Sequence, residues 1–103
     1  MAWEELGKKS IVFSGSNTLK GALVTVATAG TRVQLPDYAC HEVTIIAKDE
    51  NTGNIYVGGS DVSSTVYGVK MAAKDSITLA VNNTNLIYID SSVSGEGISY
   101  VAI

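Results

Sequence analysis

From residue 11 onward, short apolar runs alternate with clusters of Gly, Asn, Asp, Ser and Pro about every ten residues. That rhythm belongs to a β-sandwich or jelly roll and not to helices. The runs predict strands near residues 11–13, 22–28, 31–35, 42–48, 54–58, 67–71, 76–81, 86–90 and 97–103. Counted singly there are nine, or about eight if one run extends its neighbour. In 42–48, Val43, Ile45 and Ala47 share a face, and in 76–81 Ile77, Leu79 and Val81 do, so these faces are expected in the core. The runs 86–90 and 97–103 are apolar on both faces, Ser99 apart. Their second face needs a cover, whether a second sheet, an N-terminal arm or a neighbouring subunit.

The turn clusters carry residues that tolerate positive φ or bond their own backbone, as at 14–17, 29–30, 35–37, 49–53, 82–85 and 94–97. Gly53 reads as the positive-φ residue of a hairpin turn. Residues 1–10 differ from the rest. Trp3 and Leu6 stand three apart, flanked by Glu4, Glu5, Lys8 and Lys9, which suits either one amphipathic helical turn or an extended arm. The expected organisation is an N-terminal arm over 1–10 and one antiparallel, jelly-roll-like β-sandwich over 11–103.

Composition supports one all-β core. The 103 residues are 46% hydrophobic and 17% charged, with 12 Val, 9 Ile and 9 Thr against 6 Leu. Such β-branched residues suit pleated surfaces. Net charge is −3, with Arg32 the single arginine and the lysines scattered apart from Lys8-Lys9. Phosphate-backbone binding needs a clustered basic face, so nucleic acid is not an expected partner. Cys40 is the single cysteine and His41 the single histidine. An intrachain disulfide and a zinc site of several Cys or His are thereby excluded, and a reducing compartment fits. The acids near the N-terminus do not suit a signal peptide, and no run approaches a membrane span. The chain is expected to be soluble, without a membrane partner, and to leave a cell, if it does, without a signal peptide of its own.

Candidate chemistry is sparse. Cys40-His41 puts a thiol beside a base, yet strand neighbours point to opposite faces, so the expected arrangement is a buried cysteine next to a surface histidine. Asp49-Glu50-Asn51-Thr52-Gly53-Asn54 faintly resembles a calcium loop, but its glycine is fifth and its twelfth residue is Ser60. Gly58-Gly59 lacks the Lys-Ser/Thr of a phosphate-binding loop and reads as a bend with Ser60 or Asp61 bonding the backbone. The ten acids sit mostly in turns or the N-terminal segment. Tyr56, Tyr67 and Tyr88 offer apolar faces on which a sugar ring would stack. Asn82-Asn83-Thr84 matches a glycosylation acceptor by chance in a chain without a secretory signal. No cofactor, metal or catalytic set is expected.

One longer pattern remains: Leu35-Pro36, Ala39-Cys40, Val43-Thr44-Ile45-Ile46-Ala47, Asn51-Thr52-Gly53-Asn54-Ile55-Tyr56-Val57-Gly58, Val62-Ser63-Ser64, Ile77-Thr78-Leu79, Leu86-Ile87-Tyr88-Ile89-Asp90 and Gly95-Glu96-Gly97-Ile98-Ser99-Tyr100. Over about two-thirds of the chain this resembles the small β-sandwich virion proteins of tailed bacteriophages and prophages. The resemblance implies a non-enzymatic capsid decoration, head-fibre or other particle-surface component, made in the host cytoplasm and located in the virion. It implies as partners other copies of the chain, with a homotrimer preferred, and the major capsid protein or another virion component.

Within that expectation Trp3 and Leu6 are the arm anchors, because aromatic anchors dominate interfaces. Trp3 capping its own sandwich is the alternative. Tyr100, Val101 and Ile103 are the expected subunit contacts. Two rivals stand beside it: a carbohydrate- or receptor-binding module of a phage tail or host-attachment protein, using Tyr56, Tyr67 or Tyr88, and, last, a small hydrolase dependent on Cys40.

Overall fold

A computed structural model describes residues 15–103. Eight strands follow in order: β1 (Lys20–Thr25), β2 (Val33–Gln34), β3 (Val43–Ala47), β4 (Ile55–Gly58), β5 (Val69–Met71), β6 (Ser76–Leu79), β7 (Tyr88–Ser91) and β8 (Gly97–Ala102). They form two four-stranded sheets, ordered β1-β8-β3-β6 and β2-β7-β4-β5. Every pairing is antiparallel. This interleaving, in which consecutive strands mostly change sheets, is the strand order of a jelly roll, so the expected all-β sandwich is the observed one. The predicted strand at 11–13 and the arm residues Trp3 and Leu6 lie outside the described residues.

The sequence fixes the inward face by alternation. In β3 every second residue, Val43, Ile45 and Ala47, is fully buried. Their cross-strand partners, Ile98, Tyr100 and Ala102 on β8 and Ile77 and Leu79 on β6, face the same core. Ile55, Val57, Met71 and Ile89 close it from the second sheet, with Val26, Leu35 and Ile87 filling in from loops. Val81 follows β6 and packs on the core as its alternation predicts.

Several local expectations change. Residues 86–90 do not extend 76–81: β6 belongs to the first sheet and β7 to the second, joined through a 3-10 turn at Thr84–Leu86. The strand predicted at 31–35 shrinks to Val33–Gln34, although Leu35 N–H still donates to the Ile87 carbonyl. The 49–54 turn is not a hairpin, because β3 and β4 lie in different sheets and the loop crosses between them. Gly53 is not in the positive-φ region either, which among the described glycines holds only Gly30 and Gly95. Space favours glycine there, since a Cβ would stand 2.3 Å from Ser92 Oγ and 2.7 Å from Val93 Cγ2 and would force those side chains to shift. In the 58–66 segment the side chain that bonds the backbone is Ser63, whose Oγ accepts from Thr65 and Val66 N–H, and not Ser60 or Asp61.

Candidate interaction surface

The antiparallel register sorts the first sheet's outward positions into rows: Leu23, Ser99, Ile46 and Ser76 in one, Gly21, Val101, Thr44 and Thr78 in the next. None of these eight side chains is ionisable. Leu23 is 69% exposed and Val101 40%, with Ile46 half-buried between their strands. Thr44 and Thr78 satisfy each other's hydroxyls across the ladder at 2.9 Å. Lys48, just beyond β3, turns its ammonium onto Thr25 Oγ1 at 3.1 Å at one border of the face. A solvent-facing sheet surface ordinarily carries charges that keep sheets apart. This one offers leucine, valine, isoleucine and small hydroxyls.

The second sheet's outer face is different. Tyr56 and Asp90 point outward yet are almost fully buried, at 7% and 2% exposure. The Tyr67 ring packs on Tyr56 with centroids 5.2 Å apart. Asp90 Oδ1 accepts from the N–H groups of Gly30 and Ser91. Loops of the same chain therefore cover what the sheet leaves open.

The predicted subunit contacts separate by parity. Val101 lies on the uncharged outer face. Tyr100 faces inward and is 1% exposed, so its ring belongs to the chain's own core and is corrected as a contact residue. The cause is position: β8 is flanked by β1 and β3, and its inner face with Ile98 and Ala102 meets the whole core. The Tyr100 hydroxyl is buried without a hydrogen-bond partner among the described residues, and burial raises its pKa. Ile103 is half-buried and is held by backbone bonds to His41 and Glu42.

The remaining candidates resolve as structure. Cys40 is buried, its Sγ donates to the Val81 carbonyl, and desolvation raises its pKa, which disfavours the thiolate. His41 is exposed. Asn83 Oδ1 accepts from Tyr38 and Asn85 N–H, while its Nδ2 donates to Asp37 Oδ1. Thr84 is buried and donates to the Pro36 carbonyl, so the Asn-Thr pair pins residues 36–38 to the 3-10 turn.

Sequence reasoning missed a clasp at one end of the sandwich. Glu96 accepts from Thr52 N–H, Thr52 Oγ1 and Gly53 N–H, and these backbone bonds lower its carboxyl below the ordinary glutamate value. Buried Asn51 donates to the Gly97 carbonyl and accepts from the Gly97 N–H. The letters that faintly resembled a calcium loop are thus a hydrogen-bonded lock. Beside it an open polar basin of about 530 Å³ is lined by Leu23, Lys48, Asp49, Glu50 and Ser99. No group of three or more His, Cys, Asp or Glu side chains that could hold a metal occurs among the described residues.

A second concavity was equally invisible in the sequence. Between the sheets, along the β5–β6 side, an apolar slot of about 240 Å³ is lined by Val57, Val69, Ile77, Leu79, Val81 and Ile87, with exposed Leu86 among its lining residues. Neither concavity is lined by a tyrosine. Comparison with protein-family models, curated proteins and solved structures gave no match.

Proposed function

We propose that the protein is a non-enzymatic structural protein of a bacteriophage particle, a capsid decoration or head-surface protein that acts by packing as a homo-oligomer, with three-fold symmetry preferred. The observation that carries the reading is the uncharged outer face of β1-β8-β3-β6, with Leu23 and Val101 standing out of it. Such a face is costly to leave in water and gains when another protein covers it, by about 25 cal/mol per Å² before the costs of association. Repeated over a symmetric shell, a modest contact becomes a large total. The resemblance of residues 35–100 to phage virion proteins supplies the setting. A jelly roll alone does not choose among functions, since capsid proteins, lectins and cupins share it. The absence of a thiolate-prone cysteine beside a base, with Cys40 buried and His41 exposed, favours a binding role over catalysis.

Labelling intact phage particles with antibodies against the exposed 59–66 loop tests the reading. Label on the particle head is the expected result, and absence of the chain from purified particles contradicts it. The second reading, a glycan- or receptor-binding module, rests on the Tyr67 ring, 43% exposed and propped by Tyr56. Glycan binding lost in Tyr67→Ala would favour it.

A further inference from the structure

We propose that the outer face of the second sheet holds a binding site for a neutral saccharide, with the sugar ring laid on Tyr67 and its hydroxyls shared between Asp90 Oδ2 and the Lys70 ammonium. The site belongs to the glycan-binding reading above and rests on it, independently of oligomeric packing.

Antiparallel register lines the groups up. Tyr56 pairs with Asp90 on one side and with Lys70 on the other, so the three side chains leave the same face of the sheet in one row. Continuing the β2–β7 register by one residue puts Arg32 opposite Asp90. The row therefore reads Arg32, Asp90, Tyr56, Lys70, one strand spacing of about 4.8 Å at each step, and both cations are exposed.

Asp90 is a fixed acceptor. It is 2% exposed, and its Oδ1 takes the N–H groups of Gly30 at 3.0 Å and Ser91 at 2.8 Å. Its Oδ2 takes no hydrogen bond among the described residues. That oxygen is not sealed in, because among the same residues the Tyr100 hydroxyl is the one enclosed side-chain polar atom without a partner. A buried carboxylate with one oxygen bonded and the other opening outward is already oriented for a ligand. A hydroxyl that donates to it makes a charge-assisted hydrogen bond, the stronger kind.

Tyr67 supplies the apolar half. Gly58 shares the outer face with Tyr56, and its missing side chain leaves room for Val62, whose Cγ2 would stand 3.2 Å from a Cβ there. Val62 is 1% exposed and Gly68 N–H donates to the Val57 carbonyl, so the chain is held on both sides of Tyr67. The Tyr67 ring rests on Tyr56, in the middle of the row, and keeps an open face. Such a face stacks on the C–H side of a sugar.

Charge selects the class of ligand. A cation on this row meets Arg32 and Lys70, an anion meets Asp90, and like-charge contacts cost binding. An apolar ligand would leave Asp90 Oδ2 without a donor. A neutral ring with several hydroxyls donates to Asp90 and accepts from Lys70 with neither cost. Neither concavity of the molecule reaches the row, so the site is shallow and binding should be weak, with Kd about 1 mM.

The test follows backbone amide NMR signals of the isotope-labelled full-length chain as methyl α-glucoside, methyl α-mannoside or methyl β-galactoside is added to about 100 mM, a hundredfold above such a constant. At least one is expected to shift the Gly30, Tyr67, Lys70 and Ser91 signals together, and glucosamine and glucuronate to bind at least tenfold more weakly. Asp90→Asn keeps an oxygen for Gly30 and Ser91 but turns the open acceptor into a donor, and Lys70→Met removes the ammonium from an exposed position. Each should weaken binding at least tenfold with the wild-type circular dichroism spectrum; if Asp90→Asn does not fold, Lys70→Met and Tyr67→Ala decide. Tighter binding of a charged sugar overturns the proposal, as does binding that Lys70→Met and Tyr67→Ala leave unchanged. Shifts confined to the first sheet refute this site and keep the glycan reading, whereas no shift with any of the three neutral sugars refutes both. Binding by a chain that light scattering finds monomeric upholds the site and removes oligomeric packing.

Discussion

The two margins of this sandwich are finished in opposite ways. Where the 49–54 loop meets residues 91–97, the turns find partners within the chain. Glu96 takes three donors from Thr52 and Gly53, Asn51 holds both backbone groups of Gly97, and Asn54 N–H reaches Ser92 Oγ. Along the β5–β6 side, the edge of β6 and the apolar slot beside it have no such partners among the described residues. The bare outer face of the first sheet belongs with this second margin. The contrast is one of chemistry: polar letters in the loops are spent on internal bonds, and apolar letters on the slot and outer face remain open to solvent among the described residues.

The largest expected effect breaks the finished margin. A Cβ on Gly97 would stand 2.1 Å from the Val24 carbonyl oxygen, and backbone cannot swing aside as a side chain can. Gly97→Ala should cost about 3 kcal/mol or more, a large share of an ordinary domain's stability, measured by urea unfolding. Gly53→Ala meets only side chains of Ser92 and Val93 and should cost about 1–2 kcal/mol in the same assay.

Breaking the unfinished margin should leave folding intact. Leu23→Asp with Val101→Asp places charges on exposed positions, where substitutions usually change stability by about 0.5 kcal/mol or less. Self-association should fall by at least about tenfold, read by sedimentation velocity, while the thermal midpoint barely moves.

Acid sharpens the comparison further. The Glu96 carboxyl sits below its ordinary pKa because it accepts backbone N–H bonds. A depressed folded-state pKa contributes stability above the unfolded-state value, and that contribution disappears as pH falls through the folded-state value. Glu96→Gln should therefore lower the thermal midpoint at pH 7, and its difference from wild type should close below the usual carboxylate range. A difference constant from pH 7 to pH 3 would show that the clasp owes nothing to the charge.

The smallest effect concerns the turn that carries the chain from β5 in the second sheet to β6 in the first. Lys74 holds φ 73°, a left-handed conformation that disfavours a Cβ. Lys74→Gly should raise stability by up to about 1 kcal/mol, visible as a higher urea midpoint with unchanged slope.

The fold was legible because alternation survives where one face is buried. Val43, Ile45 and Ala47 announced β3, and the turn clusters marked where strands stop. The route between sheets was not legible, since residues 49–54 look like a hairpin turn until β3 and β4 are known to pair with different strands. Tyr100 was misplaced although a signal existed: it shares parity with Ile98 and Ala102, and three such residues on one face of a strand belong together. Val101, of opposite parity, lies on the outer face. The clasp had no local signal. Asn51 meets Gly97 and Thr52 meets Glu96 across more than forty residues, and each alone reads as a turn residue. The slot is likewise lined by residues of both sheets, which no single run encodes.

The most direct measurement is the absolute mass of the full-length chain in solution, by light scattering over a dilution series. A stable species near 32 kDa, about three times the 10.8 kDa chain, is the predicted result for assembly through the surfaces that the chain leaves apolar and uncharged. A species that stays at 10.8 kDa up to millimolar concentration would contradict self-assembly as the role of those surfaces.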